Sequence, residues 1–160
     1  MERGALMQAN RLLGYLGPVL RWAAQEDLIP TNFVPDLRKA PERKRDRVLS
    51  SSELAAIWHA CDLSAGRVSQ AFGRMVRFLL VTAQRRDEAA SLRHGDVVRG
   101  VWKQADNKSN RPHTLPLPGL ALNLIGRGET QALVFAGGNG KISGFSKLKR
   151  ALDRASGVTG

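Results

Sequence analysis

Apolar residues recur at near-helical spacing over the first 29 positions of the chain. They are Leu6, Leu12, Leu13, Leu16, Val19, Leu20 and Ala23. This spacing predicts one amphipathic helix over residues 5–29. Gly14, Gly17 and Pro18 predict a kink or a break inside that helix. We expect the helix to end at Ile29, because a residue that precedes proline avoids helical backbone.

A clear helix start follows at Ser50. Ser50 and Glu53 have the spacing of a capping box, in which the Ser50 hydroxyl accepts a hydrogen bond from the Glu53 backbone N–H and the Glu53 side chain reaches back. Helical spacing of apolar residues then predicts three helices, over residues 51–62, 66–83 and 85–93. Cys61 falls on the apolar face of the first of them, where we expect a buried small hydrophobic residue.

The spacing of apolar positions changes from helical to alternating between residues 96 and 117. Arg99 and Gly100 separate two short apolar runs and predict a hairpin turn. The later elements are predicted as a helix over 118–126, a strand over 133–135, a glycine loop over 136–140 and a helix over 144–156. The predicted fold is therefore mainly α-helical with a small antiparallel β-sheet at 96–117, an α+β arrangement.

Composition makes the chain strongly basic. Its 160 residues include 25 Lys and Arg against 14 Asp and Glu, a formal net charge of +11, and the pI is about 11.0. An excess of this size predicts a polyanionic partner, most often a nucleic acid. An anionic membrane surface is the weaker alternative.

The sequence also argues against several classes of protein and site. The single cysteine excludes an intramolecular disulfide, and the three histidines do not cluster, so we expect no metal site. The glycine loop before Lys141 lacks the spacing of a phosphate-binding loop, and we expect no cofactor. No apolar run reaches membrane-spanning length, and residues 1–20 do not resemble a signal peptide. These observations predict a cytoplasmic protein without a membrane partner.

A basic segment separates the first helix from the rest. Residues 38–47 hold six basic and two acidic side chains, and Pro30, Pro35 and Pro41 interrupt regular structure around them. The segment predicts an extended linker between two packed units. Its charge is equally consistent with a solvated linker and with a segment that binds across a phosphate backbone.

Two features could carry chemistry, and each has a simpler alternative. Arg85 near a helix start, with Glu88 three residues later, predicts an ion pair that would hold the guanidinium for a bidentate grip on phosphate; the alternative is an exposed surface pair that contributes little. Lys108 at a hairpin tip could donate a proton or a charge, although turns commonly carry Lys. Tyr15, the one tyrosine, is expected to be a core or half-buried aromatic residue.

A set of motifs follows in order from residue 47 onwards. They are Arg47-Val48-Leu49-Ser50, Thr82-Ala83-Gln84-Arg85-Arg86-Asp87-Glu88, Leu92, Asp96, Asn107-Lys108, Pro112-His113-Thr114-Leu115-Pro116-Leu117 and Val134-Phe135. This ordered set resembles the tyrosine recombinase (phage integrase) family. The resemblance covers most of the chain and implies the fold of that family's DNA breaking and rejoining domain. It identifies residues 1–37 with the C-terminal part of a helical core-binding domain, 38–47 with a basic interdomain linker and 48–160 with the N-terminal half of a catalytic domain.

The resemblance also implies roles for individual residues. Arg85 matches the family's first catalytic arginine, which contacts the scissile phosphate, and Glu88 matches the acidic residue that supports it. Lys108 matches the β-hairpin lysine that protonates the leaving 5′ oxygen. Double-stranded DNA is the implied partner, with self-association on DNA in the full-length parent. The basic residues expected to contact DNA are Lys39, Arg43, Lys44, Arg45, Arg47, Arg86, Arg111 and Lys147.

The sequence departs from the family pattern in ways that bear on activity. Ala83 stands where the family usually has glycine. No His-x-x-Arg motif follows residue 113, and Tyr15 lies in the wrong half of the chain to act as the nucleophile. We therefore expect a fragment of a recombinase that binds DNA weakly and does not cleave it. The alternatives are a non-catalytic DNA-binding or regulatory remnant and an unrelated basic nucleic-acid-binding module.

Overall fold

The structure is a computed structural model, and it describes the chain in six stretches. They are residues 3–34, 39–41, 46–62, 68–104, 113–138 and 140–159. The chain divides into two compact units, Met1–Arg47 and Val48–Gly160.

The first unit is built on one long helix, α1 (Arg3–Gln25). Pro18 lies inside it, and the helix continues through Pro18 without interruption, so the predicted break is wrong. A proline removes only one backbone hydrogen bond, and a helix of 23 residues retains the others. The helix ends before Ile29 because Asp27 adopts left-handed backbone (φ 54°) and the Leu28 N–H donates to the Ala23 carbonyl at 2.9 Å, a Schellman closure.

Several apolar residues of α1 are exposed, and others are half-buried. Tyr15 is 74% exposed, so its predicted place in a core is wrong. Other exposed apolar residues of this helix are Leu12, Leu16, Val19 and Trp22. Asn10 is the buried polar residue of the helix, and its side-chain amide donates to the Ala40 carbonyl (2.8 Å) and accepts from the Ala40 N–H (2.9 Å). The start of the basic segment is therefore bonded to α1 instead of being a simple solvated tether.

The second unit alternates short helices with short strands. Its elements are α2 (Ser51–Ala60), α3 (Gln70–Thr82), α4 (Arg86–Ser91), β1 (Val97–Val98), β2 (Val101–Gln104), β3 (His113–Pro116), α5 (Gly119–Ile125), β4 (Ala136–Gly137), β5 (Gly140–Lys141) and α6 (Phe145–Ser156), with a 3₁₀ turn at His94–Asp96. The predicted capping box starts α2: the Ser50 hydroxyl accepts from the Glu53 N–H, and the Glu53 carboxylate accepts from the Ser50 N–H. The predicted mainly α fold with a small antiparallel sheet is confirmed.

The three-stranded sheet has the order β1-β2-β3, and both pairs are antiparallel. Arg99 and Gly100 both have positive φ, 52° and 78°, which matches the twist that a two-residue hairpin needs. Trp102 in the central strand faces Val97 on one side and Leu115 on the other. The hairpin predicted at this turn is confirmed.

The core of the second unit forms around α3. Phe78 has no exposed surface, and its ring centroid lies 5.8 Å from Trp102 and 5.3 Å from Phe135. α3 also packs on α5, and α2 packs on α6. Cys61 is 1% exposed, as predicted, and burial raises the pKa of its thiol to about 11.

No helix in the described stretches is long and apolar enough to cross a membrane.

Two predictions about residues 133–141 are wrong. The strand expected at 133–135 is a single antiparallel bridge between Leu133 and Arg93, and the buried Val134 and Phe135 that follow are in a turn. The glycine segment is no simple loop, since Ala136–Gly137 and Gly140–Lys141 pair as a second, two-stranded sheet.

Candidate nucleic-acid interface

The turn between α3 and α4 positions Arg85. α3 ends with Ala83 in left-handed backbone (φ 52°), and the Ala83 N–H donates to the Leu79 carbonyl at 2.8 Å. This conformation costs an alanine about 1 kcal/mol, whereas a glycine adopts it without that cost. Arg85 follows in extended backbone (φ −70°, ψ 139°) and immediately precedes α4.

Arg85 and Glu88 form the ion pair that their spacing predicts. Arg85 Nη1 lies 3.0 Å from Glu88 Oε1, with side-chain exposures of 62% and 15%. An ion pair this exposed adds little to stability. The bond engages one of the five N–H donors of the guanidinium. The pair therefore holds an accessible positive group in one place, which is the arrangement a phosphate contact requires.

A second arginine lies next along the chain, but its main partner is a neighbouring carboxylate. Arg86 Nε and Nη2 donate to the two carboxylate oxygens of Asp87, both at 3.1 Å. The Arg86 guanidinium also lies 4.4 Å from the ring centroid of Phe145 at the start of α6. These contacts hold Arg86 between α4 and α6.

Lys141, in β5, lies close to Ser91 and Asp87 of α4. Lys141 Nζ lies 2.5 Å from the Ser91 hydroxyl oxygen, which itself donates to the Asp87 carbonyl at 2.9 Å. The pKa of the Asp87 carboxyl is held below its ordinary value by the hydrogen bonds from Arg86, and the charges of Arg86 and Lys141 act in the same direction. The pKa of Arg86 is raised by the same hydrogen bonds. We call Arg86, Asp87, Ser91 and Lys141 the α4–β5 cluster.

Lys141 is not among the residues that the sequence predicted to contact DNA. The spacing of the glycines before Lys141 excluded a phosphate-binding loop, and no other role was predicted for this lysine. The side chain is exposed and lies beside Arg86 and Asp87 because β4 and β5 form a hairpin next to α4. Glycines flanking a turn are the one local signal for that hairpin.

The other residues predicted to contact DNA are distributed over both units. Lys147 is exposed in the first turn of α6, while Lys39 and Arg47 are exposed in the first unit. The structure thus places Arg85 with Glu88, and it places Lys141 near Asp87, the partner of Arg86, but it does not bring Lys147 into contact with either group. Lys108, together with Arg43, Lys44, Arg45 and Arg111, lies outside the described residues.

Two other arginines of α3 have structural partners. Arg74 donates to the Leu124 and Ile125 carbonyls at the end of α5. Arg77 donates to the Trp58 carbonyl and lies 4.9 Å from the Trp58 ring centroid. These two positive charges are engaged by the fold and are poorly placed to contact a polyanion.

Metal coordination finds no support in the described residues. No group of three or more His, Cys, Asp or Glu side chains there could hold a metal ion.

Comparisons with known proteins give a clear result for the fold. No family model and no curated protein sequence matches the chain. Among solved structures, it is similar to a lambda integrase(75-356) dimer bound to a COC′ core site, with a TM-score of 0.74 and 22% identity over 98% of this chain and 61% of that chain. A lambda integrase tetramer bound to a Holliday junction gives a TM-score of 0.70 and 22% identity over 98% of this chain and 48% of that chain.

A further lambda integrase dimer bound to a COC′ core site gives a TM-score of 0.71 and 21% identity. The chain covers 47% of that structure, so it spans about half of the length of the larger integrase chains that it resembles. It therefore has the fold of lambda integrase, in agreement with the resemblance of its motifs to the tyrosine recombinase family.

Proposed function

We propose that this chain is a DNA-binding part of a tyrosine recombinase of the integrase type. The observation that carries the proposal is the Arg85–Glu88 pair at the start of α4, within an integrase fold. An exposed guanidinium held by a carboxylate is suited to a bidentate contact with a phosphodiester. The net charge of +11 supports the same class of partner.

In a complete recombinase of this kind, a tyrosine hydroxyl attacks the scissile phosphorus, and the bond from phosphorus to the 5′ oxygen breaks. We propose that Arg85 stabilises the negative charge that develops on the non-bridging oxygens. We propose that Lys108 donates the proton that the leaving 5′ oxygen takes up. Glu88 supports Arg85 without touching the reacting atoms.

We assign no residue of this chain as the nucleophile. Tyr15 is the one tyrosine of the sequence, and it lies on α1 in the first unit. We propose that the chain by itself binds duplex DNA and does not cleave it. Strand breakage and rejoining then belong to a protein that supplies a tyrosine and further arginine and histidine side chains.

Several basic residues would extend the contact along the DNA backbone. In the second unit these are Arg86, Lys141 and Lys147, and in the first unit Lys39 and Arg47. The basic segment over 38–47 and Arg111 complete the proposed interface. Because these side chains would contact phosphates, they would set the position of the DNA without selecting its sequence.

Self-association on DNA is a further part of the proposal. The similar solved structures are described as a dimer on a core site and a tetramer on a Holliday junction. We propose that the complete recombinase containing this chain assembles in the same way and acts in the cytoplasm. Analytical ultracentrifugation of that protein with and without core-site DNA would test the assembly.

The first test is Arg85→Ala in a duplex-binding assay by fluorescence anisotropy. We expect about a tenfold loss of affinity, as for the loss of a charged hydrogen bond. Wild-type binding should weaken with salt, with log K falling by about 0.9 per phosphate contacted for each unit of log[salt]. Arg85→Lys should restore only part of the affinity, because ammonium cannot make the bidentate contact.

Arg127→Ala is the matched control, since it also removes an exposed positive charge, from the loop after α5. Equal losses for Arg85→Ala and Arg127→Ala would show a general charge effect and contradict the assigned site. Binding that does not respond to salt would contradict the DNA-binding proposal as a whole. A preference for RNA over duplex DNA would instead favour an unrelated nucleic-acid-binding module.

A further inference from the structure

A buried polar contact lies beside the turn that carries Arg85. Gln104, the last residue of β2, is 8% exposed, and it is the buried polar side chain of the described part of the second unit. Its Nε2 donates to Gln84 Oε1 at 3.4 Å. Gln84 Nε2 in turn donates to the Thr82 carbonyl at 3.1 Å. The two amides therefore connect the end of β2 to the end of α3.

The connection holds Gln84, which lies in the short turn between α3 and α4. Three residues separate α3 from α4, and the first of them, Ala83, has left-handed backbone. Gln84 immediately precedes Arg85, so a fixed Gln84 restricts the backbone that directs Arg85. Without that restraint, the turn would keep the Ala83 N–H bond to the Leu79 carbonyl, the Ala89 N–H bond to the Arg85 carbonyl and the exposed pair of Arg85 with Glu88.

The other end of the connection is rigid. Gln104 shares a face of β2 with Trp102, which is 2% exposed and packs against Phe78. β2 is also the central strand of its sheet, bonded on both sides. β2 therefore holds Gln104 in a fixed position, from which it bonds Gln84 of the turn. β2 leads into the segment 105–112, which contains Lys108.

We propose that Gln104 is a positioning residue, which braces the Arg85 turn through Gln84 so that the guanidinium is held ready for a DNA phosphate. This inference rests on the proposed function, because it assumes that Arg85 contacts phosphate. A purely structural role for Gln104 would stabilise the fold but would leave the order of the Arg85 side chain unchanged. The two roles therefore differ in a measurable way.

The test uses Gln104→Met, which keeps the length of the side chain and removes the amide. We expect duplex affinity to fall about three- to tenfold, because a loosened Arg85 side chain must be ordered again when it binds phosphate. In an Arg85→Ala background the same substitution should cost nothing more, because the group that it positions is gone. Gln70→Met, at the exposed first position of α3, is the matched control and should bind as the wild type does.

Two results would overturn the inference. One is unchanged affinity in Gln104→Met, and the other is an equal loss with and without the Arg85 side chain. If Gln104→Met does not fold, Gln84→Met is measured in its place; it removes the same contact together with the bond from Gln84 to the Thr82 carbonyl.

A second measurement separates this inference from the proposed function. ¹⁵N relaxation of the Arg85 Nε–H group reports the order of the side chain without any DNA. We expect Gln104→Met to increase its mobility while Gln70→Met does not. If Arg85→Ala binds DNA as tightly as the wild type, the proposed function fails, and the relaxation data still decide whether Gln104 orders Arg85. Unchanged relaxation in Gln104→Met contradicts the positioning role whatever the DNA result.

Discussion

Glu88 and Asp87 are adjacent carboxylates that hold their arginines in different ways. Glu88 is mostly buried and accepts one bond from Arg85, so most of that guanidinium stays accessible. Asp87 is 69% exposed and engages Arg86 through both of its oxygens. A carboxylate in that position competes with a phosphate for the same donors. At the residue scale, Glu88 supports a phosphate contact and Asp87 opposes one.

Asp87→Asn should therefore strengthen DNA binding. We expect a gain of about two- to fivefold, in line with the small coupling of exposed ion pairs. Asp153→Asn is the control, because it removes the same charge from the pair with Lys149 on α6. Anisotropy titrations of the two variants against one duplex would give the comparison. A larger gain for Asp153→Asn would refute competition at Arg86.

The pH dependence of this gain follows from the pKa of Asp87. Hydrogen bonds from Arg86 favour the ionised carboxylate and lower that pKa. The wild-type side chain therefore stays charged throughout the neutral range, and the gain in Asp87→Asn should be constant from about pH 6 to pH 8. It should shrink only in acid, where the wild-type carboxyl becomes neutral as well. A gain that changes within the neutral range would be inconsistent with this assignment.

At the scale of elements, α5 depends on a side chain from another helix. The last carbonyls of a helix have no partner within it. Arg74 of α3 supplies one for α5, with Nε 3.1 Å and Nη2 2.7 Å from the Leu124 carbonyl, and Nη2 also 2.9 Å from the Ile125 carbonyl. This contact fixes the C-terminal end of α5 on α3.

Arg74→Met should destabilise the protein by about 2 kcal/mol, the range for hydrogen bonds made by a charged group. Urea unfolding measured by circular dichroism would give the free energy. Arg127→Met, in the exposed loop after α5, is the control and should change it by less than about 0.5 kcal/mol. A loss of similar size in both variants would show that the capping contact contributes nothing specific.

At the scale of the whole molecule, the buried Cys61 reports unfolding of the second unit. Its thiol is 1% exposed, and burial raises its pKa to about 11. A thiol that is both buried and protonated reacts slowly with an alkylating reagent. Because the unfolded chain releases the proton near the ordinary thiol pKa, stability should fall as pH rises from about 9 to 11.

Duplex DNA should slow the alkylation of Cys61 if it binds the folded protein. At a DNA concentration about one hundred times Kd, labelling that proceeds through global unfolding should slow about one hundredfold. Mass spectrometry can follow the reaction, since the sequence contains one cysteine. An unrelated polyanion such as heparin is the control for general charge effects. A labelling rate that DNA leaves unchanged would contradict binding to the folded second unit.

Local sequence patterns accounted for the features whose partners are close in the chain. Ser50 and Glu53 make their capping box within one turn of helix, and Arg99-Gly100 makes its hairpin turn through backbone conformation alone. Arg85 and Glu88 meet because residues three apart lie on the same side of a helix. The roles assigned to Arg85, Glu88 and Lys108 came from the order of motifs and stay predictions.

Features that depend on distant partners were decided by the tertiary structure. Tyr15 lies on a helical stripe typical of a core, yet burial requires a facing element, and Tyr15 itself remains exposed. Lys141 reaches Ser91 across 50 positions, and Gln104 reaches Gln84 across 20. Periodicity reports which face of an element is apolar, but not what packs against it. The sequence by itself therefore determined the helices, the hairpin and the Arg85 pair, while only the fold decided which side chains surround that pair.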